Sequence, residues 1–362
     1  MRINLEQNVL ERYLQTELDS ENLDAIVNGV YLSKPIDEKK MASLLKAQDP
    51  SNAYRSYFLP FMDDEEKEAF ASVFMGFGLD EIEKTEVNEI LENPYYKKLL
   101  AAERFKDGKI ELSSVSLLPY SLFLNKDKGI DERNPVNEKT YLSYVDKKVD
   151  IPCLKENGYV WMSLLPHELH TMEKPIEEAS GDVLVYGAGL GYFAFMAANK
   201  ENVSSVTIVE KDKKILSLFK KRLLPLFDHP EKIALVEADA LEFSKREEKH
   251  YSYCFVDIYH GEVDGFPLYC KLRALEGNAD ITSYWIEKAL LCYFRRHVMV
   301  LMEELFFYQY GDSDYENVDD PSAKLLSLLY HATKEDTISS EEDLIYYLSD
   351  AHLRDLAAKL GY

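Results

Sequence analysis

Three glycines, Gly187, Gly189 and Gly191, join a run typical of a β-strand to a run typical of a helix in the segment VLVYGAGLGYFAF. Glycine permits a sharp turn and lets a ligand lie against the main chain, while the following helix offers free amide groups. Acidic residues occur where the next three predicted strands end: Glu210, Asp239 and Asp257. An acid about 20 residues past the glycines can hold the paired hydroxyls of a ribose. Together these residues predict a site for a nucleoside-containing cofactor.

The spacing of the glycines narrows the class of cofactor. A dinucleotide fingerprint requires its third glycine three residues after the second, but Tyr192 occupies that position and the third glycine comes one residue early. The lysine and the hydroxyl residue of a P-loop are also missing from this turn. The pattern therefore disfavours both a dinucleotide and a nucleoside triphosphatase.

The segment DIYHGEVDGFP, after the fourth predicted strand, carries three candidate catalytic residues: Asp257, Tyr259 and His260. Asp257 could orient or deprotonate an amine, and the Tyr259 ring could stack on a flat or cationic group. His260 could act as a base near neutral pH. The alternatives are that Asp257 caps the following turn and that His260 is a loop residue without a role.

The segment YVWMSLLPHELHTMEKPI is predicted to lead directly into the first strand. Its residues His167, Glu168 and His170 have the spacing H-E-x-H rather than H-E-x-x-H, and the two histidines have no evident third partner. No metal site is therefore predicted.

The pattern of elements divides the chain into three regions. Residues 1–103 are predicted to form a helical N-terminal domain, residues 104–165 a small β-containing linker or subdomain, and residues 166–362 a Rossmann-like domain with a helical C-terminal extension. In the third region, helices alternate with the predicted strands GDVLVY, SSVTIVE, KIALVE, HYSYCFV and HVMVLMEEL. Such alternation predicts an α/β fold with a doubly wound, mostly parallel sheet and a ligand site at the strands' carboxyl ends.

The composition of the chain indicates which partners the protein binds and where in the cell it is located. The 362 residues are 46% hydrophobic and 30% charged, which is typical of a globular protein, and their net charge is −23. A negative field repels phosphate backbones and anionic lipids, so we expect a small-molecule acceptor and neither nucleic acid nor a membrane as partner. The chain shows no signal-peptide or membrane-span pattern, and its four cysteines form no C-x-x-C pair. These features predict a cytoplasmic protein with reduced thiols.

The motifs at the strand ends resemble those of the class I S-adenosylmethionine-dependent methyltransferase superfamily, and within it the spermidine synthase type. The resemblance covers residues 160–310 approximately. It rests on four features: the G-x-G-x-G turn, Glu210 at the end of VTIVE, the Asp239-Ala240 pair in VEADALEF, and Asp257 at the end of YSYCFVD. It implies S-adenosylmethionine as the cofactor.

The resemblance also implies a role for each matched residue. Gly187, Gly189 and Gly191 would flank the methionine part of the cofactor. Glu210 would hold the ribose hydroxyls, Asp239 with Ala240 would meet the adenine edge, and Asp257 would face the sulfonium centre. In the spermidine synthase type, the segment before the first strand lines the substrate cleft, which by position implies these cleft residues: Trp161, Ser163, Glu168 and Thr171. The alternative is that Trp161 belongs to the core and Glu168 begins a helix.

Three functions follow as hypotheses. The first is a methyltransferase acting on a small or cationic acceptor beneath the helical N-terminal domain. The second is aminopropyl transfer: apolar Val185, two residues before the turn, agrees with that branch, whereas Leu190 stands where the branch usually has an aspartate. The third is a non-catalytic protein that binds a partner, which Tyr192 or Phe193 filling the cleft would favour. Whether copies of the chain associate through the N-terminal domain is left open.

Overall fold

Helices dominate the first hundred residues of the computed structural model, which describes residues 1–73, 79–311 and 320–362. Residues 74–78 and 312–319 of the predicted regions lie outside this description. The helices are α1 (Gln7–Ile26), α2 (Glu38–Ala47), α3 (Pro50–Phe58), α4 (Asp64–Val73), α5 (Val87–Glu92) and α6 (Pro94–Ala101). Side-chain caps fix three of their starts, because Asp37, Asp49 and Asn93 accept hydrogen bonds from the first free amides of α2, α3 and α6. Two short strands, β1 (Arg2–Ile3) and β2 (Glu83–Lys84), interrupt this helical region.

Short antiparallel strands form the middle of the chain. They are β3 (Phe105–Asp107), β4 (Ile110–Leu117), β5 (Leu122–Leu124), β6 (Gly129–Asp131), β7 (Asn134–Lys139), β8 (Leu142–Tyr144), β9 (Val149–Glu156) and β10 (Tyr159–Ser163). Strands β10, β9, β4 and β3 form one sheet in that order, β6 and β7 form a hairpin, and β8 pairs with both β2 and β5. Strand β10 is an edge strand whose end leads towards the parallel sheet.

A five-stranded parallel sheet occupies the third region. Its elements are α7 (Pro166–Glu178), β11 (Gly181–Tyr186), α8 (Tyr192–Ala198), β12 (Val203–Glu210), α9 (Lys213–Leu218), β13 (Ile233–Glu237), α10 (Ala240–Arg246), β14 (Tyr251–Val256), α11 (Glu262–Arg273), β15 (Ala279–Tyr284) and α12 (Glu287–Glu303). The strand order is β13-β12-β11-β14-β15, and all four pairings are parallel. This order reverses direction beside β11, the position where doubly wound sheets bind ligands. The predicted parallel α/β sheet is confirmed.

Each face of this sheet packs against a separate hydrophobic core. Along β11, Val183 and Val185 lie in one core, whereas Leu184 and Tyr186 lie in the other. Alternate side chains of a strand point to opposite faces, and both faces here are covered. That double burial explains why these strands appear in the sequence as nearly continuous apolar runs.

The C-terminal region packs in the core that contains Leu184 and Tyr186. It contains α13 (Pro321–Thr333), β16 (Thr337–Ile338), α14 (Glu341–Tyr347) and α15 (Asp350–Ala357). Strand β16 pairs in parallel with β1. The first and last parts of the described chain are therefore hydrogen-bonded to each other.

The prediction of the fifth strand at HVMVLMEEL is wrong, because these residues continue α12 and its C-terminal turn. Helix α12 packs against α1, α11, α13, α15 and β7, and Val298, Met299 and Leu301 have no exposed surface. Residues 298–302 read VMVLM, and so short an apolar run cannot be distinguished from a buried strand by its periodicity. The fifth strand is β15, where the edge position leaves Asp280 and Ile281 exposed and weakens the apolar signal.

The chain before the parallel sheet contains a further helix. The segment YVWMSLLPHELHTMEKPI comprises β10 and most of α7, and it leads into β11 as predicted. Pro166 begins this helix, as suits a residue without an amide hydrogen, and Glu168 lies in its first turn. The alternative that Glu168 begins a helix thus describes the local structure correctly.

A cluster of charged side chains connects α1 to α12. Asp24 of α1 accepts hydrogen bonds from Lys128 Nζ at 2.5 Å and from Arg296 Nη2 at 2.6 Å. Arg296 of α12 also pairs with Glu138 of β7, whose side chain is only 4% exposed. Each buried charge has an opposite partner, which is the condition under which such charges are tolerated. The N-terminal helix is thereby joined to the parallel-sheet region.

All four cysteines are buried and unbridged: Cys153, Cys254, Cys270 and Cys292. Within the described ranges, no helix combines the length and the apolar character that crossing a bilayer would need.

Candidate functional site

The glycine turn between β11 and α8 fits closely against the loop that follows β14. Gly187 has a φ of +98°, and a Cβ atom there would lie 2.0 Å from the carbonyl oxygen of Asp257. Gly189 has a φ of +47°, and a Cβ atom there would lie 2.8 Å from Sδ of Met162. Gly191 ends the turn as the residue before α8. Positive φ angles favour glycine at all three positions, and at Gly187 the neighbouring backbone requires it. The end of the Met162 side chain beside Gly189 can move, whereas a Cβ atom at Gly191 would lie 2.7 Å from the ring of Phe219.

Glu210 at the end of β12 contacts this turn directly. Its Oε2 atom accepts a hydrogen bond from the Ala188 amide at 3.1 Å, and its Oε1 atom accepts one from the Asp212 amide at 2.8 Å. A carboxylate has about four lone-pair sites, so two remain for further donors such as a pair of hydroxyls. The carboxylate is partly buried and lines a cleft at the carboxyl ends of the strands.

Asp239 follows β13 and serves as the cap of α10. Its Oδ1 atom accepts hydrogen bonds from the amides of Leu241 and Glu242 at 2.9 and 3.2 Å. Asp239 and Ala240 line the same cleft as Glu210. The three acids predicted from successive strand ends, Glu210, Asp239 and Asp257, are thus brought together.

The cleft has two lobes. The first lobe, about 150 Å³, is lined by Glu210, Asp239, Ala240, Leu241, Ile258 and Leu268. The second lobe, about 70 Å³, is lined by Ser163, Glu168, Leu190, Tyr192, Phe193 and Trp285. Residues that line both lobes are Trp161, Met162, Gly187, Gly189, Asp257, Tyr259 and His260. A ligand occupying both lobes would pass between the glycine turn and the end of β10.

Two carboxyl groups face the second lobe, and both have raised pKa values. Burial raises the pKa of Asp257 to about 7. Burial is the main cause that raises the pKa of Glu168 to about 8, with hydrogen bonds from Ser163 that lower it and the nearby Asp257 that raises it. Ser163 donates to Oε1 of Glu168 from its amide at 3.1 Å and from its hydroxyl at 2.6 Å. Near neutral pH this pair of carboxyls can hold or accept a proton beside the cleft.

Tyr259 and His260 also line the cleft, and each of their side chains contacts another residue of the protein. Tyr259 is 6% exposed, its hydroxyl donates to the carbonyl of Trp285, and its ring stacks on the Trp285 indole at a centroid distance of 6.1 Å. His260 is mostly exposed, and its Nδ1 atom lies 3.2 Å from Oδ2 of Asp264. Tyr259 therefore forms a wall of the cleft, while His260 stands at its entrance.

The predicted cleft residues do not all line the cleft. Trp161, Ser163 and Glu168 do, but Thr171 is absent from the lining. The Thr171 hydroxyl donates to the His167 carbonyl at 2.8 Å and accepts from Nε1 of Trp285 at 3.0 Å. Thr171 thus orients Trp285, a cleft residue that the sequence reasoning missed. The available signal was position, since Trp285 directly follows β15 at the carboxyl end of the sheet.

His167 and His170 both lie on α7. Burial lowers the pKa of His167 to about 4, and Nδ1 of His170 lies 2.9 Å from the Asn125 carbonyl oxygen. In the part of the chain that the structure covers, no group of three or more potential metal ligands is found.

The two tryptophans of the chain, Trp161 and Trp285, both line the second lobe. We therefore expect S-adenosylhomocysteine to change the tryptophan emission on binding, because a ligand there replaces water beside both indoles. Titration of the wild-type protein and of Trp161→Phe and Trp285→Phe checks this. Each variant should keep part of the signal, and an emission unchanged at saturation would contradict a ligand in this lobe.

The strand order and the cleft define an α/β protein with a Rossmann-like doubly wound sheet and a ligand cleft at its carboxyl edge. Comparisons of the sequence with protein families and with curated proteins do not narrow this class further. No family model matches the chain, and no curated protein matches it.

Three solved structures are similar over part of the chain. Spermidine synthase from Thermotoga maritima is 15% identical with a TM-score of 0.31, over 41% of this chain and 58% of the other. Spermidine synthase in complex with the transition state analogue AdoDATO is 16% identical with a TM-score of 0.32, over 39% and 59%. A SAM-dependent methyltransferase from Agrobacterium tumefaciens is 23% identical with a TM-score of 0.24, over 30% and 37%. The chain thus spans less than two thirds of each neighbour, and likenesses with TM-scores this low define neither fold nor function.

Proposed function

We propose that this protein is an S-adenosylmethionine-dependent methyltransferase that acts on a small or cationic acceptor other than a nucleic acid. The observation that carries the proposal is the Glu210 carboxylate, which accepts from the Ala188 amide of the glycine turn at 3.1 Å while lining a cleft with Asp239 and Asp257. A carboxylate fixed at the end of the second strand, against a glycine turn, suits the hydroxyls of a ribose.

Each lobe then has its part of the cofactor. The first lobe takes the adenosine, with Glu210 towards the ribose and with Asp239 and Ala240 towards the base. The second lobe takes the methionine part, between the glycine turn and Trp161. The sulfonium supplies an activated methyl group, so the protein has to align the acceptor and remove a proton from it. Asp257, whose pKa burial raises to about 7, suits that proton transfer.

Isothermal titration with S-adenosylmethionine and S-adenosylhomocysteine tests the proposal. We expect Glu210→Gln to weaken binding by about 1.5 to 3 kcal/mol, the scale of hydrogen bonds to a charged group, which is about 10- to 150-fold in Kd. Glutamine keeps an acceptor for the Ala188 amide but loses the one that Oε1 offers to the Asp212 amide, so urea unfolding of the variant is measured alongside the titration.

The matched control is Glu237→Gln at the end of the neighbouring strand β13, where the glutamate is exposed and contributes to neither lobe. It should bind like the wild type. Absence of binding of both ligands by folded wild-type protein would overturn the proposal, and equal affinities of the two variants would remove Glu210 from the site.

The second candidate function is aminopropyl transfer, and one observation favours it. The second lobe is lined by Glu168 and Asp257 and by no lysine or arginine among the described residues. Two acids in this lobe suit the amine of a decarboxylated cofactor better than they suit the α-carboxylate of S-adenosylmethionine. Glu168 could bind this amine, whereas Leu190, at the position where the branch usually has an aspartate, cannot. Titration with decarboxylated S-adenosylmethionine separates the candidates, because aminopropyl transfer requires it to bind more tightly than S-adenosylmethionine.

The third hypothesis, a non-catalytic binding protein, gains no support from the rings named for it. Phe193 stacks on Phe255 at a centroid distance of 4.2 Å, and the Tyr192 hydroxyl accepts from Nδ2 of Asn93 at 3.1 Å. Both rings are directed into the core and form the floor of the second lobe.

A further inference from the structure

A second cavity of about 350 Å³ lies beside the cleft, beneath the N-terminal helix α1. We call it the side chamber. Its walls come from α1, from the segments 124–128 and 140–141, from α7 and from the start of α12. It shares Glu168, His260 and Trp285 with the second lobe, so these side chains separate the two spaces. A molecule in the side chamber would therefore lie next to the position of the reacting group.

Two acids of the side chamber, Asp24 and Asp127, are held by donors of the protein, whereas Glu262, which also lines it, is exposed. Asp24 accepts two hydrogen bonds from Lys128 Nζ, at 2.5 and 2.6 Å. Asp127 accepts from the amides of Lys288 and Ala289 at 3.0 and 3.1 Å and so caps α12. These groups hold the walls together and have little capacity left for a ligand.

Lys126 differs from them. Its ammonium group lies 4.1 Å from the ring centroid of Tyr141, and both residues line the side chamber. No carboxylate in the described ranges forms an ion pair with Lys126, which is an exposed residue. A lysine held over an aromatic ring is a ready partner for an anionic ligand group.

The opposite charge comes from a different wall. Glu168 on α7 faces both the side chamber and the second lobe, and its hydrogen bonds in the protein come from the neutral donors of Ser163. An ammonium group would therefore be its first cationic partner, and it would stabilise the charged form of a carboxyl whose pKa burial raises to about 8. The aromatic rings of Tyr141 and Trp285 also line the side chamber, and such rings suit a short apolar stem.

We propose that the side chamber binds the acceptor and that the acceptor carries both an amine and a carboxylate. This inference rests on the proposed transferase function. The carboxylate pairs with Lys126 and the amine lies against Glu168, from where it reaches Asp257 and the second lobe. The combination goes beyond a merely cationic acceptor, because a second amine in place of the carboxylate would meet the charge of Lys126.

The transfer step balances without a further reactant. The deprotonated amine nitrogen donates its lone pair to the carbon bound to the sulfonium, a C–N bond forms, and the C–S bond breaks with its electron pair going to sulfur. The product is an alkylated amine and a neutral thioether. The proton that the amine loses passes to the Asp257 carboxylate, which lies beside the second lobe.

Three probes of equal chain length test the charge pattern: 5-aminopentanoate, cadaverine and glutarate. Each is titrated calorimetrically into the protein with and without saturating S-adenosylhomocysteine. We expect 5-aminopentanoate to bind at least about tenfold more tightly than either of the others, because only this probe satisfies both walls.

Lys126→Met should remove this tenfold preference over cadaverine, and Glu168→Gln should remove the preference over glutarate. Lys109→Met is the matched control, since Lys109 is an exposed lysine of the β3–β4 turn that lines neither space. It should leave all three affinities unchanged.

Tighter binding of cadaverine, a preference that survives Lys126→Met, or no binding of any probe would each overturn the proposal. Its failure is distinct from failure of the proposed function, because S-adenosylhomocysteine binding is measured separately in the same samples. A protein that binds S-adenosylhomocysteine but shows no preference for 5-aminopentanoate remains a transferase candidate with a different acceptor.

Discussion

An alanine at position 187 is expected to lower the free energy of unfolding by about 3 kcal/mol or more and to prevent cofactor binding. The methyl group would lie 2.0 Å from the carbonyl oxygen of Asp257, in a backbone whose φ is +98°. Neither neighbour can yield cheaply, because the Asp257 amide donates to the Tyr186 carbonyl and the Gly187 amide to that of Val209. Relief requires the turn and the β14 loop to separate, which displaces Ala188 from Glu210. Urea unfolding and titration with S-adenosylhomocysteine measure the two effects.

Gly108→Ala provides the matched control for backbone strain. Gly108 has a φ of +59°, and a Cβ atom there would meet no atom within 4 Å. Its substitution should therefore cost only the left-handed conformation, about 1 kcal/mol, and leave cofactor binding intact. Equal costs for the two variants would show that the close approach to Asp257 contributes nothing.

The second large effect is a dependence of stability on pH. Burial raises the pKa of Asp257 from 3.8 to about 7 and is the main cause that raises the pKa of Glu168 from 4.5 to about 8. An acid whose pKa is higher in the folded protein binds more protons there than in the unfolded chain, so stability falls as pH rises between the two values. The contribution of the pair is complete below about pH 4 and is lost above about pH 8.

The double variant Asp257→Asn, Glu168→Gln removes this titration. Relative to wild type we expect it to gain about 3 kcal/mol of unfolding free energy between pH 4.5 and pH 9, a figure that allows for the partial exposure of both groups. Urea unfolding across that range checks the difference. Asp107→Asn combined with Glu237→Gln, two exposed carboxyls, should leave the curve unchanged. A double variant that follows the wild-type pH curve would mean that the carboxyls are solvated.

The elements that could be predicted from the sequence are those whose burial is uniform. Strands β11, β12 and β14 are covered on both faces, so their apolar runs are unambiguous, and the glycines and acids at their ends mark the turns. Strand β15 and helix α12 were not predicted correctly, for different reasons. The strand is exposed at its edge through Ile281, so its apolar signal is weak. The second half of the helix contains the apolar run VMVLM, which cannot be distinguished from a buried strand by periodicity alone.

The site divides in the same way. Gly187, Glu210 and Asp257 follow directly from strand ends, and the structure brings them together. Trp285 could not be found without the correct fifth strand, and the environment of Glu168 depends on its distance from Asp257, which no spacing in the sequence encodes. The Thr171 side chain is turned towards Trp285 by its position on α7, a helix that the sequence analysis raised only as the alternative for Glu168.

The charged cluster of Asp24, Lys128, Glu138 and Arg296 restricts how ligands can come and go. If α1 swung outwards as a hinged cover, Asp24 would leave Lys128 and Arg296, and these two cations would then share Glu138 alone. Removing one partner from such a buried group of charges costs about 3 to 5 kcal/mol, which would make the open form rare and exchange slow. Ligands should therefore enter without movement of α1. The rate of ligand exchange should depend on the loops around His260 instead.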